Sequence, residues 1–124
     1  MTDSNIIVAC AKAAHEANRA YCEAIGDVSH RPWRDAPDWQ RESAMKGVIG
    51  AFQGNTPEQS HESWWKQKIV DGWTYGPFKD EKKKQHPCCM PYKDLPPHQK
   101  AKDDLFLTVV RAIAKALGRV TAPE

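Results

Sequence analysis

Apolar positions recur with a helical period in four stretches of the chain. Residues 4–25 place Ile6, Cys10, Ala13, Ala17, Tyr21 and Ala24 on one face, with Ser4 positioned as a cap and Gly26 as a stop. The small side chains on that face predict close approach of a neighbouring helix. Asp35 ahead of Ala36-Pro37-Asp38 reads as an N-cap with proline in the first turn. The helix it opens carries Ala44, Met45, Val48, Ile49 and Phe52 on one side and ends at Gly54. Thr56-Pro57-Glu58-Gln59 is a capping box. It starts a third helix with His61, Trp64, Trp65, Lys68 and Ile69 on one face and a stop at Gly72. The fourth helix follows Asp94 and Pro96-Pro97 and runs to Leu117, with Leu105, Val109, Ala112, Ile113 and Ala116 turned inward and Gly118 just beyond it. The prediction is a mostly α fold of about four main helices with long aromatic loops. At most it adds a minor two-stranded pairing between residues 73–78 and 89–92.

The pattern also echoes itself. His15-Glu16, a loop with Pro32-Trp33, and Asp35-Ala36-Pro37 are followed later by His61-Glu62, a loop with Trp73, and Leu95-Pro96-Pro97. Two helix–loop–helix halves related by a pseudo-twofold axis are expected. At 124 residues the chain suits one domain. Residues 1–54 form a divergent first half, 55–118 the second half, and 119–124 a frayed tail.

Charge singles out one segment. Between residues 66 and 93 seven lysines meet Asp71, Asp80 and Glu81, a balance of +4 in a chain whose net charge is +2. Residues 72–95 lack periodicity, and connections of that length inside a domain are usually functional or disordered. Their aromatic content argues against disorder. Aromatic faces and ammonium groups together suit a flat, anionic ligand. The same composition also suits a loop that is simply pinned in place.

Other chemistry finds little support. His61-Glu62 is not a zinc HExxH motif, because Trp65 stands where the second histidine must be. His86, Cys88 and His98 match no structural zinc spacing, and no metal or cofactor is expected. The cysteines (Cys10, Cys22, Cys88, Cys89) form no CxxC pair. With no signal peptide and no membrane-length apolar run, a cytoplasmic location with reduced thiols is expected. No nucleophile sits beside an oriented base, so a non-enzymatic role is expected. A pI near 8.4 with mixed charge argues against a nucleic-acid binder.

Taken together, His61-Glu62, Trp64, Lys68, Gly72-Trp73-Thr74-Tyr75-Gly76-Pro77, Asp80, Lys83, His86-Pro87, Pro91-Tyr92, Leu95-Pro96 and Asp103 resemble the RyR domain. This repeat was first described in ryanodine receptor channels and also occurs as small stand-alone bacterial and phage proteins. The resemblance covers about residues 60–113. It implies two helix–loop–helix halves in one unit, no enzymatic activity, and a module able to hold an adenine nucleotide between aromatic side chains. By analogy, a phage member would sequester a nucleotide signal used in defence.

The expected ligand site is Trp73 stacked on the base, with Trp33 or Tyr75 closing the sandwich. Lys68, Lys82 and Lys83 would neutralise phosphate, and Asp80 would bond ribose. Trp33 stands in for the missing partner of Trp73, since the first half lacks a Gly-Trp-x-Tyr of its own. His61, His86 and Tyr92 would anchor the loop. The alternative is a protein–protein interaction module that uses the aromatic loop as a hot spot.

Overall fold

The N-cap Thr2 accepts a hydrogen bond from the Asn5 amide and opens α1, Asp3–Ala24, two residues earlier than a Ser4 cap would. In the computed structural model, which describes residues 2–119, three further helices follow: α2, Asp38–Phe52, α3, Pro57–Val70, and α4, Pro97–Ala116. The Thr56 capping box forms as expected, with Gln59 reaching back to the Thr56 amide at 2.9 Å. Gly26, Gly54, Gly72 and Gly118 follow the four helices with φ between +86° and +98°. That left-handed conformation is one only glycine adopts cheaply.

Two expected caps are corrected. Asp35 and Asp94 are not N-caps but the last residues of short 3₁₀ turns, Trp33–Asp35 and Tyr92–Asp94. Each turn feeds an extended residue, buried Ala36 or Leu95, and then a proline, Pro37 or Pro96, which is the true N-cap.

The core lies where α1 crosses α4 and α2. Ile6, Cys10, Ala11 and Ala14 meet Val48, Ala51, Leu107, Val110 and Ala114. Cys10, Ala11, Ala14 and Cys22 are fully buried, so small side chains on α1 do allow close helix approach. The expected faces need rotation. Leu107, Val110 and Ala114 are the buried residues of α4, while Ala112 and Ala116 are exposed. Ile49 and Ile69, placed inward by periodicity, are exposed. All four cysteines are free.

The minor sheet exists with different strands. β1, Thr74–Tyr75, pairs in parallel with β2, Gln85–His86. Asp80 then bridges back to Gln85 in antiparallel fashion. Residues 89–92, the pairing partner allowed at most by the sequence, form no strand. Gly76 lies at the closest approach, where a Cβ would stand 2.6 Å from Gln85 Cβ. Of the tail expected to fray, Arg119 is docked: it pairs with Asp3 at 3.0 Å and lies 4.1 Å over the Phe52 ring. Residues 120–124 lie outside the described residues. Among the described residues, no helix is long and apolar enough to cross a membrane.

Candidate functional site

Two histidine–glutamate pairs anchor the loops in the same way. His15 Nε2 bonds the Arg31 carbonyl at 2.7 Å, and His61 Nε2 bonds the Met90 carbonyl at 2.7 Å. A carbonyl only accepts, so Nε2 carries the proton in both rings. The neighbouring Glu16 accepts from the Trp33 amide at 3.1 Å, and Glu62 accepts from the Tyr92 amide at 3.2 Å. The Trp33 bond holds the Glu16 carboxyl below its ordinary pKa. His15 stacks edge-on against Trp33, while His61 lies against Tyr92 and Trp64. The sequence echo is therefore a repeated structural unit. It also corrects one equivalence: Trp33 corresponds to Tyr92 and not to Trp73.

Between the two anchors lies a cavity of about 510 Å³. Its lining draws on matching positions of both halves, including His15 with His61, Gln40 with Gln99, and Gly47 with Phe106. The loop between Gly72 and Leu95 supplies Trp73, Lys79, His86 and Cys88. Four lysines (Lys46, Lys68, Lys79, Lys102) face a single carboxylate, Asp103, among the described lining residues.

Lys68 is the centre of this site. It is 6% exposed, and α3 turns it toward three indoles. Its Nζ lies 4.2 Å from the Trp39 ring centroid, 4.6 Å from Trp73 and 5.7 Å from Trp64. No carboxylate among the described residues is paired with it. Cation–π attraction to three faces offsets part of the cost of desolvating the charge. Burial still pushes its pKa down, and Lys79 adds to the effect.

The same burial and the same lysines keep His86 neutral, with a pKa of about 3. His86 Nδ1 accepts from the Cys88 amide at 2.9 Å, and its ring packs edge-on against Trp64 and Trp73. His30, also in the cavity lining, is lowered to about 4, chiefly by burial and then by Lys79. Burial raises the Cys88 thiol to about 11, and that thiol donates to Gln99 Oε1 at 3.1 Å. Burial likewise raises Asp103 to about 7; its carboxyl lies 3.9 Å from His61 Nδ1, too far for a hydrogen bond.

The residues singled out from the sequence fall into three groups. Trp73 and Lys68 line the cavity together. His61, His86 and Tyr92 make loop-fixing bonds through a ring nitrogen or the backbone amide. Trp33, Tyr75, Asp80, Lys82 and Lys83 do not line the cavity. Trp33 lies against His15 and under Arg41. Tyr75 is more than half exposed on β1. Asp80 accepts the Lys83 amide at 3.1 Å within an exposed turn that also holds Lys82.

Sequence reasoning missed Trp39, Lys102 and the contact of Trp64 with Lys68, whereas Lys79 belongs to the loop lysines it offered as phosphate contacts. Trp64 was already placed on the face of α3 that carries Lys68. Trp39 had no such signal, being the second residue of a polar helix start.

The RyR domain family model matches residues 42–118. The chain belongs to the RyR domain family. The matched segment runs from the second turn of α2 to Gly118, two residues past the end of α4, so it holds Trp64, Lys68, Trp73, His86 and Lys102. Trp39 and the whole of α1 lie before it. In this RyR-family chain one wall of the lysine cage thus comes from outside the matched segment.

Proposed function

We propose that the cavity between the two halves binds a flat, anionic small molecule of the nucleotide class and releases it unchanged. One observation carries this reading: an unpaired ammonium, Lys68, is held against three indole faces inside a cavity where four lysines meet one carboxylate. An aromatic base has indole surface to stack on, a contact worth about 1–3 kcal/mol per base. A phosphate has Lys68, Lys79 and Lys102 as point charges in a low-dielectric recess, where their attraction is stronger than in water. The proposed partners of the ligand are therefore Trp39, Trp64, Trp73, Lys68, Lys79 and Lys102. Trp33, Tyr75, Lys82, Lys83 and Asp80 lie away from this cavity. The absence of turnover is supported by a thiol held protonated at Cys88 and by Asp103 lying beyond bonding distance of His61.

A second reading has its own support. Phe78 is 79% exposed, Val70 76% and Tyr75 55%, all at or near the aromatic loop. Exposed large apolar side chains of this kind mark protein-docking surfaces when they lie together.

A thermal-shift screen against linear and cyclic nucleotides and ADP-ribose-type compounds tests the first reading. A compound binding only the folded state at 100 times its Kd adds about 2.7 kcal/mol, which is several degrees for a domain this size. A dose-dependent shift confined to one chemical class is expected. A flat response across the panel would set the nucleotide reading aside in favour of protein docking.

A further inference from the structure

Lys68 is the buried lysine among the described residues, and no carboxylate among them is in salt-bridge contact with it; the charges of Asp71 and Glu81 act on it from farther away and favour its protonated form. Other lysines are engaged differently. Lys79 Nζ donates to Ser29 Oγ at 3.3 Å, Lys84 Nζ donates to the Asp71 carbonyl at 2.9 Å, and Lys100 lies over the Tyr92 ring. A lysine becomes a nucleophile when its amine is freed of its proton at ordinary pH. Two arrangements do this: desolvation in an apolar pocket, and a second cation close by. Lys68 has both, with indole walls from Trp39, Trp64 and Trp73 and with Lys79 sharing the cavity. Its downward pKa shift has these same two leading causes, burial first and Lys79 second.

The geometry points to a further activity at this cavity: Lys68 forms an imine with a ligand that joins a flat anionic body to a free carbonyl, as in a nucleotide ending in a reducing sugar. This rests on the cavity being a ligand site, as proposed above. The Lys68 ammonium first releases its proton to solvent; the freed Nζ then adds to the carbonyl carbon, and a C–N bond forms as the carbonyl electron pair moves to oxygen. A proton passes from nitrogen to that oxygen to give a carbinolamine. Its C–O bond then breaks, and the oxygen leaves as water with the second nitrogen-bound hydrogen. The product is a C=N bond to Lys68. No oxidant or reductant takes part, and hydrolysis returns the ligand intact. Capture of this kind slows ligand release without making the protein an enzyme.

The aromatic cage does two things for this step. Its indole faces exclude water from Nζ, which favours the imine over hydrolysis. They also keep Nζ in place across the cavity wall, so that a stacked ligand presents its carbonyl to a fixed amine. The three walls come from three different elements, since Trp39 is on α2, Trp64 on α3 and Trp73 follows Gly72. The cage thus forms only in the assembled fold.

The test uses pyridoxal 5′-phosphate, a flat aromatic anion bearing an aldehyde, on the full chain. Borohydride then fixes any imine, and peptide mass mapping locates the label. Pyridoxine 5′-phosphate, in which an alcohol replaces the aldehyde, measures non-covalent binding by quenching tryptophan fluorescence. The expected result is saturable labelling concentrated on Lys68. It should reach its plateau at lower pH than labelling of exposed lysines such as Lys82. Lys68→Arg, which keeps a cation on the indoles but cannot form an imine, should lose that label while keeping its helical circular dichroism. Lys68→Met provides a second variant should the arginine not fit. If pyridoxine 5′-phosphate quenches but the label spreads over exposed lysines and spares Lys68, the imine inference is overturned and the cavity reading stands. If neither compound acts on the protein, the cavity reading falls and takes this inference with it.

Discussion

The ammonium of Lys68 lies 4.2 Å from the ring of Trp39, joining the last turn of α3 to the first turn of α2 across the cavity. The contact crosses from one half of the molecule to the other. It makes the ligand site a property of the assembled domain and not of the loop alone.

If that contact serves binding, removing the charge should not cost stability. Desolvating an unpaired ammonium costs several kcal/mol, while each cation–π contact returns about 0.5–2 kcal/mol. Lys68→Met is therefore expected to unfold in urea within about 1 kcal/mol of the parent, or later, with methionine filling the space between indoles. Its affinity for any anionic ligand should drop at least tenfold. A loss of more than about 3 kcal/mol of stability would mean that the charge is a structural keystone.

The two glutamate anchors should behave alike. Glu62→Ala leaves the half-buried Tyr92 amide without its partner, and with partial access to water the cost should fall toward the lower end of the range of about 1–3 kcal/mol for an unsatisfied buried donor. Glu16→Ala should cost a similar amount through the Trp33 amide. Chemical denaturation of both variants checks the repeat directly, since unequal costs would contradict the equivalence of the halves.

Asp103 gives a pH signature. Its folded pKa, about 7, is above the unfolded value, so the folded state holds a proton that the unfolded state has released. This contribution is fully favourable at low pH and is lost as pH rises from about 4 to about 7. Asp103→Asn should flatten that part of the stability profile and be the more stable protein at pH 7. Urea midpoints at pH 5 and pH 7 decide it, and parallel profiles for parent and variant would count against a raised Asp103.

Gly76 is a steric test of the small sheet. An alanine Cβ would sit 2.6 Å from Gln85 Cβ and must push β1 and β2 apart. Gly76→Ala should destabilise by about 1–3 kcal/mol, the usual cost of overpacking. Faster amide exchange at Gly76 and Asp80, which donate into this sheet, would accompany it.

Much of the fold was legible because its boundaries are local chemistry. The Thr56 capping box and the glycines at 26, 54, 72 and 118 mark helix ends whatever the tertiary context. Asp35 and Asp94 misled because a 3₁₀ turn looks like a cap when read only as an acid ahead of proline. The inward face of α4 misled for a different reason. That helix packs against α1, α2 and α3 together, so its buried stripe follows its neighbours and not the apolar period alone.

The candidate site was half legible. Trp73 and Lys68 lie in or beside the charged aromatic segment, and they do meet. Trp39 was invisible because it opens a polar helix and is 45% exposed, and only the packing of α2 against α3 gives it a role. Trp33 misled because the two loops differ in length. The short loop of the first half contains no counterpart to the turn that carries Trp73. The shared His–carbonyl and Glu–amide bonds reveal instead that Trp33 matches Tyr92.

The most direct measurement is calorimetric titration of the best nucleotide from the screen into Trp39→Ala and Trp33→Ala side by side. Loss of one stacking face should weaken binding in Trp39→Ala by about 1–3 kcal/mol, or roughly 5- to 150-fold. Trp33→Ala should bind as the parent does, though it melts earlier. The reverse pattern, with affinity lost at Trp33 and kept at Trp39, would contradict the account and move the site out of the lysine cage.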